Sequence, residues 1–204
     1  MAGSRKVVIV VDVQADFTQQ HIGALPVPGT DQGYLDDVLA ATRAYVQDGT
    51  PVICTRDYHP ESHISFSSSH RGKNPFDSIL VGAVEQTLWP PHCVQMTPGA
   101  QILIPQEFVT CIIDKGTHPQ WDSYSAFQDD GGQDTGLQEL LAELGAQELI
   151  IYGLATDYCV KMTALHALER GYHVRIRTDL CRGVTPEGAA DSLEQLKRAG
   201  AVLE

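Results

Sequence analysis

The chain predicts an α/β fold: a single-domain, three-layer α/β/α arrangement around a six-stranded, mostly parallel sheet. Two observations carry this. Short apolar, β-branched runs recur along the sequence, and amphipathic stretches that end on glycine separate them. Such alternation needs crossover connections, which make neighbouring strands parallel and place helices on both faces. A chain of 204 residues is long enough to bury roughly 70% of its unfolded surface, so neither disulfides nor a structural metal are required for stability.

Residues 7–13 (VVIVVDV) and 148–153 (ELIIYG) are nearly continuously apolar, as strands covered on both faces should be. Residues 51–55, 109–114 and 173–177 read as further strands, and 201–203 as a short sixth. Helices are predicted at 34–48, 136–145, 157–170 and 186–199. In the third, Val160, Ala164, Ala167 and Leu168 form a stripe at i, i+4, i+7 and i+8. Thr185 is placed as N-cap of the fourth, with Pro186 at its first position. Gly49, Gly145, Gly171 and Gly200 follow the four helices, where a terminating glycine belongs. The interval 60–108 breaks the rhythm; it is rich in His, Ser, Pro and Gly and carries one short predicted helix near 78–84. An irregular insertion of that length in a compact domain is usually functional. The whole of 1–204 is expected to be one domain, with its irregular, site-forming segment at about 57–108.

Composition excludes several roles. There are 14 Lys+Arg against 26 Asp+Glu, a net charge of −12. That surface repels phosphate backbones and anionic lipid, so no nucleic-acid or membrane partner is expected. The apolar run after Arg5 and Lys6 stops at Asp12, too short for a signal peptide or a membrane span. Five scattered cysteines without a CxxC pair suit a reducing compartment. A cytoplasmic protein is the expectation.

In parallel sheets ligands sit beyond the carboxyl ends of the strands, so the polar residues there are weighed first. Asp12 and Asp16 follow the first strand, Asp57 and His59 the second, Lys115 the third, and Thr156 to Cys159 the fourth. With Thr156 as N-cap, Cys159 falls in the first turn of a helix, where free amides and the helix dipole favour a thiolate and an oxyanion. Asp12, in an apolar strand, needs a partner, and Lys115 at a neighbouring strand end is the candidate. Carboxylate, cation and thiol at neighbouring strand ends suggest nucleophilic catalysis. Asp57 and His59 are two apart in extended chain and point the same way, so with His92 or His63 they could bind a divalent metal. Four of the eight histidines lie between residues 59 and 92. Phe17, Trp89 and Tyr124, in loops facing the same crevice, suggest a pocket for a flat ring. Cys54 and Cys111, inside strands, read as buried thiols.

These residues resemble a known family. Asp12-Val-Gln-Ala-Asp-Phe17, Arg56-Asp-Tyr-His59, Trp89-Pro-Pro-His-Cys-Val-Gln95, Asp114-Lys-Gly116 and Gly153-Leu-Ala-Thr-Asp-Tyr-Cys-Val160 are similar to the signature blocks of nicotinamidases, in the isochorismatase-like superfamily of cysteine hydrolases. The blocks occur in family order and span nearly the whole chain. The resemblance implies an Asp12–Lys115–Cys159 triad and an oxyanion hole from the amides of Ala155 and Cys159. It also implies a non-proline cis peptide at Leu154–Ala155. A divalent metal (zinc first, iron or manganese as alternatives) would be held by Asp57, His59 and His92. His63 matches an extra ligand of some members, and its role stays open. The implied activity is hydrolysis of nicotinamide to nicotinate and ammonia in NAD salvage, with pyrazinamide as a second substrate. Phe17, Trp89 and Tyr124 would flank the ring. Met96, where many members have glycine, and the longer segment 116–124 are departures that bear on substrate breadth. Two other readings stay open at this level: a related amidase acting on a carbamoyl or ureido compound, and a non-catalytic ligand-binding protein on the same fold. Whether the chain forms a homo-oligomer is not legible in the sequence.

Overall fold

The computed structural model describes residues 5–82 and 84–204. In chain order the elements begin with β1 (Lys6–Val11), α1 (Gln32–Gln47) and β2 (Val52–Asp57). The short strands β3 (Ser78–Val81) and β4 (Val84–Thr87) follow, then β5 (Cys111–Lys115) and α2 (Leu137–Glu143). The last third contains β6 (Glu148–Leu154), α3 (Lys161–Glu169), β7 (His173–Arg182), α4 (Pro186–Ala199) and β8 (Val202–Leu203). Six strands form one sheet in the order β5–β2–β1–β6–β7–β8, and every pairing in it is parallel.

The order follows from hydrophobicity. Val7–Val11 and Leu149–Leu154 are buried without interruption, so β1 and β6 occupy the centre, where helices cover both faces. A buried hydrogen bond between Thr42 Oγ1 and Tyr152 Oη, 2.8 Å long, ties α1 to β6. The chain builds outward from β1 to β2 and β5, then returns to β6 and builds the other way. The reversal lies between β1 and β6, which is where open α/β sheets place their ligand crevice. Among the described residues no helix is long and apolar enough to cross a membrane.

Several predicted boundaries move. The first strand ends at Val11 instead of residue 13, because Asp12 adopts φ 48° and its N–H leaves the ladder for Thr55 Oγ1. The helix expected near 78–84 is an antiparallel hairpin pairing Val81 with Val84. Its residues alternate in exposure from Ser78 to Val81, a period of two that suits a strand and not a helix. The fifth predicted strand continues to Arg182 through a register shift against β6. The helix carrying Cys159 begins with a π-helical turn, Thr156–Val160, capped by Ala155 instead of Thr156, before the α-helical part. Thr185 caps α4 as expected, its side chain accepting from Gly188 N–H.

Candidate active site

Four strand ends deliver four side chains to one place. Asp12 follows β1, Asp57 ends β2, Lys115 ends β5, and Cys159 lies in the turn after β6. Register aligns them, since Asp57 pairs with Lys115 and Val11 with Gly153. Gly153, at φ 127°, is required here because a Cβ would overlap the Val11 carbonyl.

Lys115 is the hub. Its Nζ lies 2.9 Å from Asp12 Oδ2, 2.5 Å from Asp57 Oδ1 and 3.4 Å from Cys159 Sγ, and it donates to the Ser123 carbonyl at 2.9 Å. All four partners and Lys115 itself are buried. Burial pulls the ammonium down, but Asp12 and Asp57 reverse this and hold it well above the usual lysine value, so it stays charged. Asp12 has its two oxygens in different roles. Oδ1 accepts from Thr55 Oγ1 at 2.5 Å. Oδ2 carries the ion pair with Lys115, and the Asp12 carboxylate lies within 4.8 Å of Cys159 Sγ. Burial raises the Asp12 carboxyl despite the pull of Lys115, making it a better base.

Burial also raises the Cys159 thiol well above its usual value, with Lys115 opposing. That direction is opposite to the one a helix terminus favours, and the Asp12 carboxylate, itself raised by burial, stands beside the thiol to accept its proton. The amides of Tyr158 and Val160 both donate to the Ala155 carbonyl at 3.1 Å, while the Cys159 amide between them does not share that acceptor. The Leu154–Ala155 peptide bond is cis, at the place the resemblance implies.

On the far side of Lys115, Asp57, His59 and His92 converge, with ligand-type atoms all within 4.8 Å of one another. His59 Nδ1 is 2.8 Å from the Gly116 carbonyl, and His92 Nδ1 is 2.8 Å from the Pro90 carbonyl. Each carbonyl requires an N–H, which fixes a proton on Nδ1 and turns Nε2 toward Asp57. The Nε2 atoms lie 3.6 and 4.0 Å from Asp57 Oδ2. Burial and the neighbouring His59 pull His92 down to about 4, so it is neutral at physiological pH. Despite its burial, His59 is pushed the other way, up from the usual imidazole value, by Asp57 beside it. Two imidazoles and a carboxylate, each held from behind, form a donor set that fits a divalent cation. His63 packs against His59 with ring centroids 4.2 Å apart. Its own nitrogens are engaged elsewhere, Nδ1 with Ser65 Oγ at 2.7 Å and Nε2 with the Trp121 carbonyl at 3.1 Å.

A small, partly enclosed pocket opens onto Cys159. Phe17, Trp89 and Tyr124 all line it, as do Asp57, His92 and Ala155. Trp89 Nε1 donates to Tyr124 Oη at 3.1 Å, joining two of the aromatic walls. Sequence reasoning missed three contributors. Tyr158 lines the pocket and packs edge-on against Trp89 at 5.0 Å. Asp122, also lining it, is buried and accepts from Gln86 Nε2 at 2.8 Å. Gln14 binds the backbone of Asp57. Tyr158 was readable from its place beside Cys159; the other two have no local signal. Asp16, weighed above as a strand-end acid, instead accepts from the amides of Cys93 and Ala24 and braces the loop carrying His92.

A buried thiol, lysine and aspartate at the strand ends of a parallel sheet are the parts of a cysteine hydrolase, and the sequence pattern of the isochorismatase domain matches residues 6–204. The chain belongs to the isochorismatase family. Within it, the chain is 42% identical over 204 residues to the nicotinamidase of Escherichia coli K12, covering 97% of this chain and 93% of that one. The yeast nicotinamidase bound to the inhibitor nicotinaldehyde superposes with a TM-score of 0.89 at 31% identity, covering 97% and 98% of the two chains. The pyrazinamidase of Pyrococcus horikoshii in complex with zinc superposes with a TM-score of 0.81 at 37% identity, covering 98% of each chain.

Proposed function

We propose that this chain is a nicotinamidase, a metal-containing cysteine amidohydrolase that converts nicotinamide to nicotinate and ammonia through a thioester. The observation that carries the proposal is the single ammonium of Lys115 touching Asp12, Cys159 and Asp57 together. It sets a nucleophile–base pair and a metal-donor set on two sides of one pocket with aromatic walls.

In this mechanism Asp12 Oδ2 takes the thiol proton as Cys159 Sγ attacks the carboxamide carbon, and Lys115 balances the carboxylate charge. The amides of Ala155 and Cys159 hold the oxyanion. Collapse breaks the C–N bond, and the proton on Asp12 goes to nitrogen, which departs as ammonia. A water then loses a proton to Asp12 and attacks the thioester; the C–S bond breaks, and the thiol is regenerated with nicotinate. Asp57, His59 and His92 would hold one divalent ion, with zinc supported by the Pyrococcus relative. When bound, that ion supplies a Lewis-acidic anchor for a ring nitrogen. Phe17, Trp89 and Tyr124 orient the ring. Pyrazinamide keeps both the ring nitrogen and the carboxamide and should be accepted. A cytoplasmic place in NAD salvage accords with five unpaired cysteines, one of which must stay reduced.

Ammonia release from nicotinamide tests the thioester route: Cys159→Ala should show none, and surviving turnover would sink it. Chelation should abolish turnover and zinc restore it; an enzyme indifferent to chelator would point instead to a metal-independent amidase of the same superfamily.

A further inference from the structure

The first strand has to leave the sheet early for Asp12 to reach Cys159, and this strips the end of β2 of its neighbour. The last backbone pairing between β1 and β2 is Val10 with Cys54. Beyond it, Asp57 pairs with Lys115 on its other side, while its own N–H and C=O face the gap left by β1. Gln14 fills that gap with a side chain. Its Oε1 accepts from Asp57 N–H at 2.8 Å, and its Nε2 donates to the Asp57 carbonyl at 2.9 Å and to the Ala100 carbonyl at 3.1 Å. Both amide hydrogens are used, and the residue is fully buried. Gln14 is itself fixed from behind, because its backbone N–H donates to the Asp12 carbonyl at 2.8 Å.

Asp57 is the carboxylate shared by the two halves of the site. Oδ1 meets Lys115, and Oδ2 faces the Nε2 atoms of His59 and His92. We infer that Gln14 is a positioning residue for the metal: by replacing a missing rung of the sheet it holds the backbone of Asp57 so that Oδ2 meets the two imidazoles. This rests on Asp57, His59 and His92 being the metal ligands. Partners one step behind a ligand typically contribute 10–100-fold to metal affinity.

The test is zinc affinity, measured by competition with a chromogenic chelator well below the melting temperature. Gln14→Glu keeps the acceptor and loses the two-hydrogen donor; Gln14→Met keeps the volume and loses both functions. Both should bind zinc about 10–100-fold more weakly than wild type while the zinc-free proteins keep a native circular dichroism spectrum. Gln14→Met should be the weaker binder. Folded variants with wild-type zinc affinity, or loss of folding in both, would make Gln14 a packing residue and overturn the assignment. Zinc binding that survives His92→Ala would sink the ligand set itself, and this inference with it.

Discussion

A lysine ammonium without exposed surface has no water to fall back on when a partner is lost. Lys115 touches two buried carboxylates and a thiol, so Lys115→Met leaves Asp12 and Asp57 facing each other unneutralised. The expected outcome is a fall in kcat on the order of 10⁴-fold or more, with stability lower by about 3–5 kcal/mol. Steady-state kinetics and a urea melt on the same preparation check both; a variant that retains substantial kcat would show that the ammonium is structural only. Asp12, Lys115 and Cys159 were legible because each is a chemically active side chain at the end of an apolar run. Gln14 and Asp122 were not. A glutamine between two aspartates, or an aspartate in a Ser- and Tyr-rich loop, looks like any solvated polar residue until the chain folds around it.

At the scale of elements, the site depends on how strands end. Gly116, at φ 61°, turns the chain sharply after Lys115 and presents its carbonyl to His59 Nδ1. A Cβ there would overlap the His59 ring. Gly116→Ala should therefore displace His59 and weaken zinc binding by about 10–100-fold, measured by chelator competition, while far-ultraviolet circular dichroism stays native. The strands and the four helices were legible because their hydrophobic period is local. The hairpin β3–β4 was misread as a helix, since a short run such as Ser78–Val81 carries too few residues for period two to be told from 3.6. The π-helical turn at Thr156–Val160 was likewise hidden. Which carbonyl an amide chooses in the first turn is decided by the packing around Cys159.

Over the whole molecule, the acidic surface has local consequences. Partial burial, with Asp122 and Asp129 nearby, pushes the Asp130 carboxyl up to about 6. A carboxyl raised above its unfolded value of about 3.9 favours the fold only while protonated. Its contribution is fully present below about pH 4 and is lost as pH rises through 6. Asp130→Asn, which stays neutral, should melt higher than wild type at pH 7–8, on the order of 1–2 °C because much of the group remains in contact with water. The difference should vanish near pH 4. A gain of equal size at both pH values would show that the charge is not its cause. The net charge of −12, by contrast, is silent about the site, where one cation among buried acids sets the chemistry.

By itself the sequence determined the parallel sheet, the strand-end positions of the reactive groups and the family they belong to. The sheet and the strand-end positions rest on local patterns: apolar runs, glycine stops and polar residues placed where runs end; the family rests on motif blocks that resemble its signature. Only the tertiary structure decided how those groups act on one another. It put Asp57 between two imidazoles and Lys115, engaged both nitrogens of His63 elsewhere, and raised the Cys159 thiol by burying it. The physical reason is that hydrophobic period is written in neighbouring residues. Desolvation and hydrogen-bond direction, in contrast, depend on groups more than forty residues apart, as Asp12 and Thr55 are, and exist only once the core has closed around them.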